Sequence, residues 1–386
     1  MKQYMRKTDK GIRLFFWQNT NSIHQASFFR ELSKNNILNI FLIICEPLSS
    51  ERVAMGWKEP ELNKTTIIRF NDNFDWQSLI SANNDNNCIH IFSGISAFPR
   101  VFQALLYARK QSCRIAILSE PLDYRGLKGL LRRIRGYLYR IKYHKDIEFI
   151  LAIGWQARQQ FLSWGYDANK VLDWTYTVED SAIDINLNNQ DNKPFKIIFA
   201  GSMILRKGYD LFIEAMDQLD DSDFEVDLYC VSEGNRAEAK EVESSIRQKD
   251  RIRLQDFLEN KKVREKISEY DLLVLPSRYD GWGAVVSEAL MEGTPVLVGY
   301  NCGSAIMLCN NKKLGAIIKP LSVQQIKENI IKMMGVGKVS MEKRKSIKDW
   351  AQECISADAT ARYFKTILSY YNGEITEKPI APWLKK

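Results

Sequence analysis

The sequence predicts an α/β fold made of two Rossmann-like domains, each a parallel sheet with helices on both faces, that face each other across a cleft. Three observations support this prediction. The chain has 386 residues, enough for two domains, and 45% of them are hydrophobic. Short apolar runs alternate with helical patterns along both halves of the chain. A polar segment, residues 182–194, separates the two halves and is the expected linker.

The first series of elements defines an expected domain over residues 1–181. Helical patterns at residues 22–34 and 99–110 lie between short apolar runs. Because strands that alternate with helices pair in parallel, the sheet should carry helices on both faces. Its strands are expected at residues 13–17, 40–45, 65–70, 88–92, 114–118 and 147–154.

The second series defines an expected domain over residues 195–358. Ligands of such sheets bind outside the carboxyl ends of the strands, so the functional residues should follow the strands directly. These strands are expected at residues 195–200, 227–231, 251–255, 272–276, 295–298 and 316–318.

The most informative segment is residues 276–290, with the sequence PSRYDGWGAVVSEAL. Apolar runs on both sides predict buried parallel strands, and the glycines predict a turn that opens a helix near Ala284. Free N–H groups and the helix dipole favour an anion at that position. Asp280 and Glu288 frame the helix start, with backbones at most about 12 Å apart. A diphosphate-linked sugar needs amides for its phosphates and acids for its hydroxyl groups. The alternative is a plain turn and helix with solvated acids.

In this segment the chain resembles the retaining glycosyltransferases of glycosyltransferase family 4, which have the two-domain GT-B fold. The resemblance rests on DGWG at 280–283, EA at 288–289 and GTPV at 293–296. It implies catalytic roles for Asp280 and Glu288, with Asp280 on the sugar and Glu288 on the ribose. It also implies donor-binding roles for Gly281, Trp282, Gly283 and Ala284. The family usually has Glu where this chain has Asp280, and the shorter side chain leaves the donor sugar open.

Residues 195–208 resemble a second segment of the family, a strand followed by a glycine and then by Lys-Gly. The resemblance implies donor contacts from Gly201, Ser202, Arg206 and Lys207, with Lys207 the better match for a catalytic cation. Cleavage of the sugar–phosphate bond leaves negative charge on the diphosphate, and a fixed cation stabilises that charge as it develops. The alternative is that both cations are ordinary residues of a first helical turn, although that position is unfavourable for cations.

The first domain is expected to bind the acceptor, through residues that follow its strands. His24 and Asn21 in the polar loop after the first strand are the acceptor-side candidates, with a structural histidine as the alternative for His24. Ser22 and Gln25 match a capping box for the next helix. Glu120, a catalytic candidate, stands where many family members have a histidine after a central strand. Either it takes the sugar-contacting role of that histidine, or the alignment is shifted, or it is a turn acid before Pro121.

Residues 125–145 contain eight basic residues and no acid. Their leucines and isoleucines recur at helical spacing, which predicts a basic amphipathic helix. Such a helix is typical of an element that binds an anionic membrane surface, here through Arg132, Arg133 and Arg135. The alternative is a helix whose apolar face packs on the core. Nucleic-acid binding explains the charge less well, because no nucleic-acid motif accompanies it.

Composition excludes several classes of protein. Seven scattered cysteines without a C-x-x-C motif predict neither a disulfide framework nor a metal site, and Cys302 and Cys309 are expected in the core. The D-x-D pattern at 221–223 matches a metal-binding motif of another glycosyltransferase fold and is interpreted as a solvated turn. No metal and no cofactor are expected. The first residues lack the apolar core of a signal peptide, and no window has the apolar length of a membrane span.

These observations predict a metal-independent, retaining glycosyltransferase of the hexosyltransferase type. It would move a sugar from a nucleotide-sugar donor to a glycan acceptor, expected to be lipid-linked, in bacterial capsule, O-antigen or exopolysaccharide biosynthesis. The enzyme would be cytoplasmic and peripheral on the inner face of the cell membrane. In the family the last helix packs on the first domain, which predicts that position for residues 359–386. The competing hypotheses are a non-catalytic GT-B subunit that binds a partner glycosyltransferase, and an epimerase or phosphorylase on the same fold.

Overall fold

The computed structural model describes residues 11–48, 58–71, 73–180, 194–219 and 223–385. By its internal contacts the chain divides into two units. Unit 1 comprises Met1–Thr177 with Ala357–Pro382, and unit 2 comprises Val178–Ser356 with Trp383–Lys386. The expected linker at 182–194 lies outside the described residues except for Pro194. Of the D-x-D pattern at 221–223, the structure describes only Asp223.

The described part of unit 1 contains a seven-stranded parallel sheet with the strand order β3-β2-β1-β4-β5-β6-β7. The strands are β1 Ile12–Gln18, β2 Leu38–Ile44, β3 Thr66–Arg69, β4 Cys88–Ser93, β5 Arg114–Ser119, β6 Ile147–Ile153 and β7 Val171–Trp174. The helices are α1 Ile23–Leu32, α2 Trp76–Ser81, α3 Pro99–Lys110, α4 Gly126–Tyr143, α5 Gly154–Ser163 and, from the end of the chain, α12 Ala357–Tyr371.

The described part of unit 2 contains a six-stranded parallel sheet with the order β10-β9-β8-β11-β12-β13. The strands are β8 Phe195–Ala200, β9 Phe224–Val231, β10 Ile252–Asp256, β11 Leu272–Leu275, β12 Val296–Gly299 and β13 Gly315–Ile318. The helices are α6 Tyr209–Asp217, α7 Arg236–Ser245, α8 Asn260–Ile267, α9 Ala284–Met291, α10 Val323–Gly335 and α11 Met341–Ile355.

These sheets confirm the predicted fold class of two Rossmann-like parallel-sheet units. In both sheets the order of the first six strands is that of a doubly wound fold, in which strand order reverses beside the first strand of the unit. The reversal falls between β1 and β4 in unit 1 and between β8 and β11 in unit 2. Ligands of such sheets bind at the carboxyl ends of the strands that flank this reversal, so each unit has one preferred position for a site.

Helix α12 belongs to unit 1, where it packs against α1. Phe364 makes an edge-to-face contact with Phe28 of α1, with ring centroids 5.5 Å apart. Tyr363 stacks on Trp174 of β7 at 5.9 Å. Such aromatic pairs contribute about 0.5–1.5 kcal/mol each beyond their buried area, so they fix the end of the chain to unit 1.

Candidate functional site

The predicted turn between β11 and α9 lies at the strand reversal of unit 2. Helix α9 begins at Ala284, as the sequence predicted, and Gly283 precedes it with a φ of 82°. A Cβ on Gly283 would lie 2.5 Å from the Cys302 sulfur, and a Cβ on Gly303 would lie 2.0 Å from the Gly281 carbonyl oxygen. Glycine is therefore favoured at position 283, where φ is positive and the Cys302 side chain is close, and at position 303, where the turn and the segment after β12 are in backbone contact.

Asp280 is held in this turn by its backbone. Its N–H donates to the Asn301 carbonyl at 3.1 Å, and its own carbonyl accepts from the Gly303 N–H at 3.0 Å. The side chain of Cys302 lies behind the turn and donates to the Trp282 carbonyl at 2.9 Å. Burial, followed by the charge of Asp280, raises the pKa of Cys302 to about 12, so the group remains a neutral thiol. The two backbone hydrogen bonds, to Asn301 and from Gly303, therefore hold Asp280 in a fixed position.

Two cations reach this turn from the segment after β8. Lys207 Nζ lies 2.5 Å from Asp280 Oδ2, and the two side chains are only 17% and 11% exposed. Arg206 Nη1 donates to the Tyr279 carbonyl at 3.0 Å and lies 4.0 Å from Asp280 Oδ1. Both cations sit on a short 3-10 turn, Leu205–Lys207, which follows Gly201 and Ser202 at the end of β8.

The two loops are locked together around these cations. The Arg278 N–H donates to the Arg206 carbonyl at 2.9 Å, and the Arg278 guanidinium makes a bidentate ion pair with Asp210 at 2.6 Å. Gly208 has a φ of 77°, and a Cβ there would lie 2.0 Å from the Pro276 carbonyl oxygen. Arg278 and Asp210 were not singled out from the sequence, because the pair joins residues 68 positions apart.

Trp282 and Glu288 occupy different environments from the cations. The Trp282 side chain is buried, and its indole donates to the Ser287 hydroxyl at 3.0 Å. This residue therefore anchors the turn to α9, and its backbone carbonyl accepts from the Ser304 N–H at 2.9 Å. Glu288 lies in the second turn of α9 and is 7% exposed.

A second set of candidates lies at the carboxyl ends of the strands of unit 1. Glu120 follows β5, and its carboxylate accepts a hydrogen bond from the Tyr176 hydroxyl. The His24 ring packs against the Tyr176 ring with centroids 5.6 Å apart. Asn21 lies after β1, where its side-chain amide donates to the Pro60 carbonyl at 2.9 Å. Tyr176 was not predicted from the sequence, although it contacts two residues that were predicted, Glu120 and His24.

Two expectations about individual residues were wrong. Ser22 does cap α1, by accepting from the His24 N–H at 3.3 Å, but the reciprocal half of the capping box is absent from the hydrogen bonds of the described residues. The side-chain oxygen Oε1 of Gln25 instead accepts from Gln18 Nε2 at 2.5 Å. Cys309, expected in the core, is exposed, whereas Cys302 is buried as expected.

Helix α4 exposes its apolar side chains. Its buried residues are Gly129, Gly136 and, at its end, Tyr143. A Cβ on Gly136 would lie 2.0 Å from the Trp164 ring, and one on Gly129 would lie 1.9 Å from the Tyr124 carbonyl oxygen. The alternative of a core-facing apolar stripe is therefore wrong. The exposed residues are Leu127, Leu130, Leu131, Ile134, Tyr137, Leu138 and Ile141, all at least 53% exposed.

The three arginines chosen from the sequence differ in their contacts. Arg132 Nη1 donates to the Asp123 carbonyl at 2.6 Å, which ties α4 to the loop before it. The Arg133 guanidinium lies over the Tyr124 ring at 4.9 Å, and that of Arg135 lies 5.9 Å from the Tyr139 ring. Arg133 and Arg135 are exposed, and Arg132 is half-buried.

The described residues contain neither a cluster of metal-ligating side chains nor a membrane-spanning helix. Within them, no three His, Cys, Asp or Glu side chains come together as a set that could hold a metal ion. No helix in the described ranges combines the length and apolar character needed to cross a bilayer.

The candidate site in unit 2 lies within the part of the chain that matches a known family model. Residues 180–353 match the family model of glycosyl transferases group 1. Among curated proteins, the chain is 22% identical over 145 residues to the alpha-D-kanosaminyltransferase of Streptomyces kanamyceticus, covering 37% of each protein. The matched region thus spans about a third of that relative's length.

Solved structures share the whole fold. A glycosyltransferase from Rickettsia africae ESF-5 has a TM-score of 0.70 and 14% identity, covering 95% of this chain and 100% of that one. Anabaena HepE in complex with UDP has a TM-score of 0.69 and 12% identity, covering 93% of this chain and 99% of that one. The chain therefore has the GT-B fold of these proteins.

Proposed function

We propose that this protein is a metal-independent, retaining glycosyltransferase of glycosyltransferase family 4. It transfers a sugar from a nucleotide-sugar donor to a glycan acceptor, lipid-linked, in bacterial surface polysaccharide biosynthesis. The observation that carries the proposal is the buried Lys207–Asp280 pair beside the amino end of α9, with Arg206 next to it. The match of residues 180–353 to glycosyl transferases group 1 supports it, because that range includes all of these residues.

The donor diphosphate would lie against the amino end of α9. Gly283 caps this helix without a side-chain acceptor, and its carbonyl accepts from the Val286 N–H at 2.9 Å, so the N–H groups of Ala284 and Val285 would be offered to an anion. Lys207 and Arg206 would stabilise the charge that develops on the diphosphate as the sugar–phosphate bond breaks. HepE, a protein of the same fold, was solved with UDP, which supports a nucleoside diphosphate as the leaving group here.

The two acids would act on different parts of the donor. Glu288 lies about 6 Å along α9 from Ala284, far enough from the helix start to reach the ribose while the amides hold the phosphates. Asp280, in the turn itself, would accept hydrogen bonds from hydroxyl groups of the sugar. Because fixed cations supply the charge stabilisation, the reaction would need no metal ion.

The acceptor would bind to unit 1. His24, Asn21 and Glu120 all follow strands at the carboxyl edge of its sheet, where ligands of doubly wound folds bind. Tyr176 joins His24 and Glu120 into one polar cluster, which offers hydroxyl, imidazole and carboxylate groups to a sugar acceptor. We propose that Glu120 occupies the place of the family histidine.

Helix α4 would hold the enzyme on the inner face of the cell membrane. Its apolar ridge is exposed while its glycines pack inward, an arrangement in which none of the described residues of unit 1 covers the hydrophobic face. The eight cations of residues 125–145 make an anionic lipid surface the fitting partner for that face. An enzyme held there would meet a lipid-linked acceptor in the plane of the membrane.

A thermal-unfolding panel tests the donor assignment. The purified protein would be heated with UDP, GDP, ADP and dTDP sugars, each at up to a hundred times the dissociation constant expected. A ligand at that excess adds about 2.7 kcal/mol to the free energy of unfolding, so one nucleotide series should raise the midpoint clearly. No response to any nucleotide sugar or nucleoside diphosphate would contradict the proposal. Binding without turnover, in the presence of acceptor lipids, would favour the non-catalytic subunit instead.

A further inference from the structure

We infer that Asp280 has a second role, which is to hold Lys207 as an intramolecular counterion until the donor diphosphate takes the lysine over. The inference rests on the proposed function, since it requires a diphosphate at the amino end of α9. It adds a step that the sequence did not suggest, because Asp280 was expected to contact the sugar alone.

The Lys207–Asp280 ion pair is short and largely buried. Lys207 Nζ lies 2.5 Å from Asp280 Oδ2, and less than a fifth of either side chain is exposed. Ion pairs at such depth are screened far less by water and salt than surface pairs. Arg206, by contrast, keeps 39% of its side chain exposed and approaches Asp280 only to 4.0 Å. An arriving diphosphate would therefore meet Arg206 first and Lys207 only after the pair has opened.

The pair can open only from the lysine side. Asp280 is fixed by backbone hydrogen bonds to Asn301 and Gly303, and its side chain is too short to leave the turn. The backbone of Lys207 is also fixed, because Gly208 lies against the Pro276 carbonyl. The long side chain of the lysine has the rotatable bonds that the aspartate lacks, so it would swing from the carboxylate to the phosphate.

This exchange would couple recognition of the donor diphosphate to recognition of the donor sugar. While Lys207 is paired with Asp280, the ammonium group lies against one carboxylate oxygen. The carboxylate is then a poorer acceptor for sugar hydroxyl groups. Once the diphosphate binds Lys207, the carboxylate is released toward the sugar. Sugar recognition would then follow diphosphate binding, rather than precede it.

Calorimetry with UDP and GDP tests the inference. Asp280→Asn removes the competing charge and should bind the nucleoside diphosphate about tenfold more tightly than the parent, equivalent to about 1.4 kcal/mol, while losing sugar transfer. Glu292→Gln is the matched control, because Glu292 forms an equally close and similarly buried ion pair with Arg264 at the other end of α9. The control should change affinity less than twofold.

The outcomes separate this inference from the proposed function. An affinity of Asp280→Asn equal to or weaker than that of the parent would overturn the inference, as would an equal gain in both variants. Asp280→Ser repeats the measurement if the asparagine variant unfolds at a lower temperature. If the parent binds neither nucleotide and ADP and dTDP fail as well, the proposed function itself is wrong.

Discussion

Membrane binding through α4 can be tested by changing its apolar ridge and its charges separately. In the first variant, Leu127, Leu131 and Ile134, which are 84%, 66% and 53% exposed, are replaced by Ser. Full burial of a Leu or Ile side chain is worth about 1.5–3 kcal/mol, so side chains more than half exposed each offer about 1 kcal/mol to a bilayer. The three changes together should weaken vesicle binding by about 3 kcal/mol, roughly a hundredfold.

In the second variant, Lys128, Arg135 and Lys142 are replaced by Gln. This choice spares Arg132, which holds the loop before α4 through the Asp123 carbonyl. Each cation near an anionic surface is worth about 1 kcal/mol, so binding to anionic vesicles at low salt should fall by a similar factor. Binding to neutral vesicles should not change, because those vesicles offer no charge to the removed cations.

Co-sedimentation with vesicles measures both effects. The parent should bind anionic vesicles strongly at low salt and less at 1 M salt, where the screening length is about 3 Å. The matched control replaces Ile37, Ile331 and Val336 by Ser, since these apolar residues are 64%, 47% and 74% exposed elsewhere on the chain. If that control loses as much binding as the α4 ridge variant, or if the parent binds anionic and neutral vesicles equally well, α4 is not a membrane-binding element.

The remaining predictions concern the donor site and the core of unit 1. Glu288→Gln should weaken nucleoside diphosphate binding by about 1.5–3 kcal/mol, because ribose hydroxyl groups would lose a charged acceptor; an unchanged calorimetric affinity would remove Glu288 from the ribose. Burial lowers the pKa of His90 to about 4. Nδ1 of the neutral ring accepts a hydrogen bond from Trp17 Nε1 at 3.1 Å, and Nε2 is hydrogen-bonded to the Asn83 carbonyl at 2.8 Å. The unfolded chain binds a proton near pH 6.5, so the free energy of unfolding should fall by about 3 kcal/mol as pH drops from 6.5 to 4. His90→Gln should flatten this dependence in urea titrations, and an equal slope in the variant would show that other groups cause it.

The order of strands and helices was predictable because both sheets are built from apolar runs that alternate with helical patterns. One strand, β7 at Val171–Trp174, was missed because four residues that include Asp173 give neither a long apolar run nor a clear alternation. The prediction of a capping box at Ser22 was wrong for a different reason. A local pattern cannot show that the Gln25 side chain is already occupied by Gln18 of the preceding strand.

The candidate site was predictable in its residue types but not in its pairing. The glycines and acids of 280–288 mark a turn and a helix start, and those are local features. The Lys207–Asp280 contact joins residues 73 positions apart and depends on the reversal of strand order between β8 and β11. Helix α4 shows the same limit, because periodicity reveals an apolar face without showing what covers it. Gly129 and Gly136, spaced seven apart, were the available signal that the small residues face inward.

Release of nucleoside diphosphate from nucleotide sugars is the measurement that tests the central claim most directly. The parent should release one nucleoside diphosphate from at least one UDP, GDP, ADP or dTDP sugar, faster when acceptor lipids are added. Lys207→Ala leaves Asp280 without its cation and should be less stable than the parent but folded at the assay temperature. It should lose about a hundredfold or more in rate, since one contact to charge developing in the transition state is worth about 3 kcal/mol. Turnover by Lys207→Ala at the parental rate, or no release by the parent from any donor, would contradict a glycosyltransferase built on this site.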